Sequence, residues 1–122
     1  MKKAILDTSF ILTCVKQKID FFEEFILMGI QVLIPDQVIK EIQGIANGNP
    51  SRKSEDARLT LEILDKNKFK KFDLRLKNVD KGIINFADKN SEIYVATLDR
   101  EIKNKSNNSK IVIREKKRLE II

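Results

Sequence analysis

The sequence predicts an α/β fold, a three-layer α/β/α arrangement around a central, mostly parallel sheet of about five strands. Short apolar runs that suit strands alternate along the chain with amphipathic segments that suit helices. Strands separated by helices pair in parallel through βαβ units. A length of 122 residues and a hydrophobic content of 42% suit one compact domain, residues 1–122. We therefore expect no second domain.

The first third of the chain is expected to form a strand and two helices. The strand covers 4–6 and the first helix covers 9–15, so Asp7 lies at the carboxyl end of the strand. Asp20 is a candidate cap for the second helix, and Gly29 is a residue type that commonly ends a helix. The core face of this second helix is expected to consist of apolar side chains, namely Phe21, Phe22, Phe25 and Ile26.

The middle of the chain begins with a second strand over 31–35, which ends at a proline. Asp36 is the expected cap of the next helix, and Glu41 lies between the apolar positions of that helix. The segment 47–51, Asn-Gly-Asn-Pro-Ser, is the clearest loop in the sequence. A further helix begins at Arg52. This loop is the best candidate for a flexible segment that faces a substrate.

In the last third of the chain, the β-branched and aromatic run 93–97 predicts a strand that has Asp99 at its carboxyl end. Before it, alternation over 69–76 predicts a short strand, and 79–87 has a helical pattern with Asp80 as a natural cap near its start. A brief helix is expected over 100–105 and a strand over 111–113. A charged turn leading to an edge strand is expected over 114–122.

Four acidic residues are expected to meet at one edge of this sheet. Asp7 and Asp99 end strands, while Glu41 and Asp80 lie on early helical turns that can lean over the same edge. Ligands of open parallel sheets bind beyond the carboxyl ends of the strands. Carboxylates gathered in this way repel one another, so a protein keeps such a cluster mainly to hold a hard divalent cation. The cluster therefore predicts metal-assisted chemistry on phosphates.

The composition supports an acidic partner. The chain has 24 Lys and Arg residues against 18 Asp and Glu residues, a net charge of +6, which favours nucleic acid, although solubility alone is an alternative reason. The sequence contains no histidine, which removes most rival catalytic chemistries. Cys14 is the only cysteine, so no internal disulfide forms, and we expect it to pack as an apolar side chain. No apolar segment is long enough to span a membrane, and we expect a soluble, cytoplasmic protein.

The segments around the four acids resemble those of the PIN-domain nucleases. Residues 5–9 (Ile-Leu-Asp-Thr-Ser) are similar to the opening strand and first acid of that family, and residues 35–42 (Pro-Asp-Gln-Val-Ile-Lys-Glu-Ile) to its Glu-bearing helix start. Residues 80–87 (Asp-Lys-Gly-Ile-Ile-Asn-Phe-Ala) resemble its third acidic segment, and residues 96–99 (Ala-Thr-Leu-Asp) its last strand end. The resemblance spans nearly the whole chain, in the same order.

This resemblance implies a metal-dependent endoribonuclease that hydrolyses RNA phosphodiester bonds with one or two Mg²⁺ or Mn²⁺ ions. It implies direct coordination by Asp7 and Asp99, completion of the shell by Asp80, and a water held or polarised by Glu41. Hydroxyl side chains would order the carboxylates or the water, namely Ser9 and Thr97. The alternative for these hydroxyls is ordinary strand-end and cap bonding.

Basic residues that flank the expected cleft are candidates for RNA contacts, namely Arg52, Lys53, Arg100, Lys103 and the turn 116–118, with a solvated charged face as the alternative. Two positions depart from the family pattern. Gly82 is expected to loosen the start of the Asp80 helix, where a bulkier residue would pack. Glu101 only approximately matches a further acid that some members carry.

Two cellular roles stay open at the level of the sequence. One is a toxin of a toxin–antitoxin pair, which would bind an antitoxin; the other is processing of rRNA or tRNA, with a ribosome-assembly protein as partner. The outer apolar residues of the helix after Asp20 could serve a homodimer. A non-catalytic RNA- or protein-binding module on the same fold is the alternative function. A phosphoacceptor receiver domain is disfavoured, because the pair of acids it needs is missing after Leu6.

Overall fold

A computed structural model describes the backbone of residues 1–122 and the side chains of all of them except Lys116. In chain order the elements are β1 (Lys2–Leu6), α1 (Thr8–Lys16), α2 (Phe21–Leu27), β2 (Ile30–Pro35), α3 (Asp36–Ala46), α4 (Arg52–Lys66), β3 (Lys70–Phe72), α5 (Val79–Lys89), β4 (Tyr94–Ala96), α6 (Arg100–Lys105), β5 (Lys110–Arg114), a 3₁₀ turn (Glu115–Lys117) and β6 (Arg118–Ile121).

The sheet has six strands in the order β3-β2-β1-β4-β5-β6. All neighbouring pairs are parallel except β5 and β6, which pair in the antiparallel direction. The mostly parallel α/β sheet predicted from the sequence is thus confirmed. The sheet has one strand more than the estimate of about five, and the charged tail forms the edge strand β6, as predicted for 114–122.

Helices cover both faces of the sheet, which gives the three layers. Ala4 and Leu6 of β1 lie in a core shared with α1, α2, α3 and α4, whereas Ile5 between them lies in a second core with residues of α5 and α6. All three side chains are fully buried, as expected for a central strand of a parallel sheet covered on both faces. Because β1 and β4 run in the same direction, Asp7 and Asp99 follow strand ends at the same edge.

The apolar face predicted for α2 is wrong at one position. Phe21, Phe22 and Phe25 are buried, but Ile26 is 68% exposed and the neighbouring Leu27 is 75% exposed. Both lie in the last turn of this short helix, where the chain leaves the core and turns at Gly29, whose φ is +70°. Gly29 follows the helix as predicted, because glycine adopts this left-handed conformation without steric cost.

Two predicted helix caps are also wrong. Asp36 is the first residue of α3, and Pro35 holds the N-cap position with an extended backbone, because β2 passes directly into the helix. Asn78 caps α5 by accepting a hydrogen bond of 2.9 Å from the backbone N–H of Lys81. Asp80 is therefore a residue of the first helical turn, and its carboxylate is not used as the cap. Asp20, in contrast, caps α2 as expected.

The segment expected as a strand over 69–76 pairs with β2 only at Lys70–Phe72. Beyond it the chain bends, and Leu74 turns inward against α5. A Cβ atom added at Gly82 would lie 2.9 Å from Cδ1 and 3.1 Å from Cβ of Leu74. Leu74 therefore packs directly against Gly82, and the expectation that Gly82 loosens the start of this helix, where a bulkier residue would pack, is wrong.

Cys14 packs in the larger core, as expected. Burial raises the pKa of its thiol to about 12, so the thiol is unreactive at neutral pH. Among the helices described here, none has both the length and the apolar character that crossing a bilayer requires.

Candidate functional site

A cavity of about 880 Å³ opens at the carboxyl edge of the sheet. The four acids singled out in the sequence all line it: Asp7, Glu41, Asp80 and Asp99. Asp7 and Asp99 reach it as the residues that cap α1 and α6, and Glu41 and Asp80 reach it from α3 and α5. The expected convergence of strand ends and early helical turns therefore occurs in the fold.

Asp7 is the most buried of the four acids, at 3% exposure. Its Oδ1 atom accepts hydrogen bonds from the backbone N–H of Phe10 at 2.8 Å and from the hydroxyl of Ser9 at 3.1 Å. Burial raises the pKa of the Asp7 carboxyl, and the charge of Asp80 adds to this, while the hydrogen bonds from Thr97, Phe10 and Ser9 oppose it. Asp7 is thus held in one orientation by donors on several sides.

Thr97 connects the first and last acids. Its hydroxyl donates to Oδ2 of Asp7, and its oxygen accepts the backbone N–H of Asp99 at 3.0 Å. Asp99 in turn accepts the backbone N–H groups of Glu101 and Ile102 through Oδ1, at 2.8 and 3.2 Å. The hydrogen bonds expected of Ser9 and Thr97 toward the carboxylate of Asp7 are therefore present. The cap of α1 is a separate bond, which the backbone N–H of Phe10 donates to Oδ1 of Asp7.

Asp80 shows that the acids influence one another electrostatically. Its pKa is raised, first by partial burial and then by the negative charges of Asp99, Glu41 and Glu101. Glu101, which matched the family pattern only approximately, has the smallest of these influences, and it does not line the cavity and is paired with Lys105 at 2.8 Å. Mutual repulsion of this kind favours binding of a positive ion among the acids.

Glu41 has a partner that the sequence did not indicate. The hydroxyl of Thr8, at the start of α1, donates a hydrogen bond to Oε1 of Glu41 on α3. Thr8 also lines the cavity, directly beside Asp7. The one sequence feature that could have drawn attention to Thr8 is its position next to Asp7. Nothing in the sequence pairs Thr8 with Glu41, which lies 33 positions away.

The donor set fits a hard divalent cation in chemistry and in location. Carboxylate oxygens are among the ligands that Mg²⁺ prefers, and the carboxylates of four acids line one cavity. Within the described residues, no three acidic side chains are close enough as they stand to surround a single ion. Asp80 is half-buried and its carboxylate does not cap its helix, so its rotamer can change, whereas Glu41 is held by Thr8.

The cations predicted to contact RNA divide into two groups. Arg52 and Lys53 line the cavity, joined by Lys16, which the sequence reasoning missed. Arg100 and Lys103 lie on α6 and do not line it. In the basic turn 116–118, Lys117 and Arg118 are exposed at the opposite end of the sheet from β3, and the side chain of Lys116 is outside the described residues.

Comparisons with known proteins agree with this fold. A family model described as "PIN like domain" matches residues 4–118. Ribonuclease VapC4 of Methanocaldococcus jannaschii is 28% identical over 127 aligned positions, which cover 99% of this chain and 97% of the relative. A solved structure of the PIN domain endonuclease Utp24 superposes with a TM-score of 0.76 at 26% identity, covering 98% of this chain and 92% of the other.

Proposed function

This chain belongs to the PIN-like domain family, and on that premise we propose that it is a cytoplasmic endoribonuclease, a single nuclease domain that hydrolyses RNA phosphodiester bonds with Mg²⁺ or Mn²⁺. The observation that carries the proposal is the convergence of four acids on one cavity at the carboxyl edge of the parallel sheet. The two relatives, named a ribonuclease and a PIN domain endonuclease, support the same reaction.

In this proposal Asp7, Asp80 and Asp99 hold the cation. A bound divalent cation would lower the pKa of a water molecule and neutralise the charge that develops on the phosphate oxygens. Asp7 is suited to the central position because Thr97, Ser9 and the backbone of Phe10 fix its carboxylate. A ligand that is already oriented loses little conformational entropy when it binds an ion.

Glu41 is proposed to orient the attacking water and accept its proton. Thr8 holds Oε1 of Glu41, which leaves Oε2 to face the water. Glu41 lines the same cavity as Asp7, and the side chain is long enough to reach a water molecule near the scissile phosphate. Lys16, Arg52 and Lys53 line this cavity as well and would neutralise phosphate charge on the bound RNA.

The toxin and the processing roles both remain proposals, each with its partner: an antitoxin for the first and a ribosome-assembly protein for the second. Co-purification after co-expression with the neighbouring reading frames separates them, because a toxin would form a stable complex with a small antitoxin.

A homodimer through the exposed Ile26 and Leu27 of α2 is a further proposal, which sedimentation analysis tests.

Cleavage of a labelled RNA by the purified protein tests the proposed reaction. We expect cleavage with Mn²⁺ or Mg²⁺, none with EDTA, and a loss of more than about a hundredfold in Asp7→Asn, which removes one charge from the centre of the site. Asp20→Asn, a similar change at a helix cap outside the cavity, should cleave like the wild type. Equal cleavage by wild type and Asp7→Asn with Mn²⁺, after stringent purification, would mean that Asp7 does not serve the reaction. The proposed function would then be wrong.

A further inference from the structure

A second groove, of about 590 Å³, adjoins the acidic cavity. One wall is α3 and the other is the segment 73–77 that follows β3. Glu41 and Val79 line both spaces, so the groove and the cavity meet at one of the four acids. A polymer bound in the groove would therefore extend toward the acidic centre.

The groove differs from the cavity in charge. Its lining includes three exposed cations, Lys40, Arg75 and Lys77. The ion pairs found among the described residues are Lys105 with Glu101 and Arg114 with Glu120, so none of the three groove cations is in a salt bridge there. These exposed cations can contact an anionic ligand. The charges of Arg75 and Lys40 are partly offset by Asp73, whose pKa is lowered first by hydrogen bonds from Arg75 and Gln37 and then by these two charges.

Asp73 is the one groove acid that the cavity does not share, and its carboxylate is already engaged. It accepts hydrogen bonds from the backbone N–H of Arg75 at 2.7 Å and from Nε2 of Gln37 at 2.6 Å. Oε1 of Gln37 accepts the backbone N–H of Leu74 at 3.1 Å. These bonds fasten the segment that carries Arg75 and Lys77 to the helix that carries Lys40.

Arg75 has a φ of +62°, a left-handed conformation that is uncommon for any residue except glycine. Such a conformation persists only where the surrounding structure enforces it. The bonds of Asp73 and Gln37 provide that enforcement, so the groove presents its cations from a defined loop rather than from a freely moving one.

The acidic cavity by itself repels a polyanion. Its lining has five acids, Asp7, Glu41, Asp56, Asp80 and Asp99, against three cations, Lys16, Arg52 and Lys53. Affinity for RNA must then come largely from cations beside the cavity, since phosphate neutralisation supplies most sequence-independent binding. The groove is the neighbouring concave surface where cations outnumber acids.

We propose that this groove binds the sugar–phosphate backbone of single-stranded RNA next to the scissile bond, with Lys40, Arg75 and Lys77 neutralising its phosphates. The exposed Leu76 between two of these cations offers apolar surface to a ribose or a base. This inference rests on the proposed function, because it names the path by which the substrate of that reaction reaches the acids.

Binding of a fluorescein-labelled single-stranded RNA of about 15 nucleotides, measured by anisotropy in EDTA at several NaCl concentrations, tests the proposal. The triple variant Lys40→Gln, Arg75→Gln, Lys77→Gln should lose at least about tenfold in affinity. The slope of log affinity against log salt should become shallower by about 2, since each phosphate contact with a single strand contributes about 0.7.

The matched control removes the same charge elsewhere, as Lys66→Gln, Lys68→Gln, Lys89→Gln, three exposed lysines that line neither space. Its affinity should stay within about twofold of the wild type, and both triple variants should melt cooperatively. Equal affinities and equal salt slopes for the two triple variants would overturn the proposal.

Cleavage assays with Mn²⁺ separate failure of this inference from failure of the proposed function. If the wild type cleaves RNA and the two triple variants have the same KM, the groove inference alone is wrong. If the wild type does not cleave, yet binding depends on the groove cations and not on the control lysines, the proposed reaction is wrong and the groove remains an RNA-binding surface.

Discussion

The hydroxyl of Thr97 donates a hydrogen bond to the buried carboxylate of Asp7, a residue 90 positions earlier in the chain. Thr97 follows β4 and Asp7 follows β1, two strands that lie side by side in the sheet. The backbone N–H of Asp7 also donates to the carbonyl of Ala96, at 3.2 Å. The pairing of these two strands therefore fixes the position of the first acid before any ligand binds.

Neutralising Asp7 should stabilise the ion-free protein at neutral pH. The pKa of Asp7 is raised above its ordinary value of 3.8, so the fold favours the protonated carboxyl. Protonation of Asp7 stabilises the fold in full below pH 3.8. This stabilisation is lost as the pH rises through the pKa that Asp7 has in the folded protein. Asp7→Asn carries no charge and keeps Oδ1 for the N–H of Phe10. Its NH2 group replaces Oδ2, so it would donate to the Thr97 oxygen in place of accepting from the hydroxyl.

Urea unfolding in EDTA between pH 4 and pH 8 measures this effect. We expect the free energy of unfolding of Asp7→Asn to exceed that of the wild type at pH 7, by an amount that shrinks toward pH 4. Asp20→Asn, at an exposed helix cap, should show no such trend. If the free energy of unfolding of Asp7→Asn lies below that of the wild type by the same amount at every pH, the fold does not disfavour the charge of Asp7.

The repulsion between Asp80 and Asp99 should be measurable as coupling. In the ion-free protein, Asp80→Asn and Asp99→Asn should each raise the melting temperature, because the charge of Asp99 helps to raise the pKa of Asp80. Asparagine caps a helix as well as aspartate does, so α6 keeps its cap. The rise in melting temperature of the double variant should be smaller than the sum of the two single rises, since either change alone removes the repulsion between Asp80 and Asp99.

Asp80→Asn combined with Asp20→Asn provides the additive reference, because Asp20 lies outside the cavity. If the rises in melting temperature for Asp80→Asn and Asp99→Asn are additive, or if either single variant melts at a lower temperature, the two carboxylates do not repel each other in the fold.

Removing the hydroxyl of Thr8 should slow cleavage without altering RNA binding. Thr8→Val has nearly the same shape but cannot donate to Oε1 of Glu41, so kcat should fall by about 10- to 100-fold, as for the loss of other supporting hydrogen bonds around metal sites. KM should be unchanged, and Thr8→Ser should restore most of the rate. A Thr8→Ser variant as slow as Thr8→Val would show that the hydrogen bond is not the cause.

The edge of the sheet that carries the site could be predicted from the sequence because strand ends in a βαβ chain follow from local patterns. Asp7 and Asp99 each come directly after a β-type run, and parallel pairing brings such ends together. The fold class needed only the alternation of strand-like and helix-like segments. Gly29 was predictable for the same reason, since its preference for a positive φ is local.

The sequence could not reveal features that depend on distant partners. The bond between Thr8 and Glu41 joins residues on different helices. The exposure of Ile26 depends on where the core surface ends beneath α2, which its apolar spacing does not encode. The close approach of Leu74 to Gly82 depends on the inward turn of Leu74, which follows an irregular segment without a periodic pattern.

The contact between Gly82 and Leu74 gives a prediction that is independent of catalysis. Gly82→Ala should lower the free energy of unfolding by about 1 to 3 kcal/mol, because the added Cβ overlaps the buried Leu74 side chain. Gly44→Ala is the matched control in α3, where no heavy atom lies within 4 Å of the added Cβ. It should stabilise the protein by about 0.5 to 1 kcal/mol through helix propensity.

Combining Gly82→Ala with Leu74→Val, which shortens the opposing side chain, should recover part of the loss, as measured by urea unfolding. If Gly82→Ala is as stable as the wild type, Leu74 does not pack closely against α5 at Gly82.

Crystals soaked in Mn²⁺ test the central claim, that the four acids form one cation site. We expect an anomalous peak in the acidic cavity, with carboxylate oxygens of Asp7 and Asp99 in direct coordination and those of Asp80 and Glu41 bound directly or through water. The peak should be absent in Asp7→Asn crystals grown and soaked in the same way. A peak that none of the four carboxylates contacts, or a peak unchanged by Asp7→Asn, would contradict the claim.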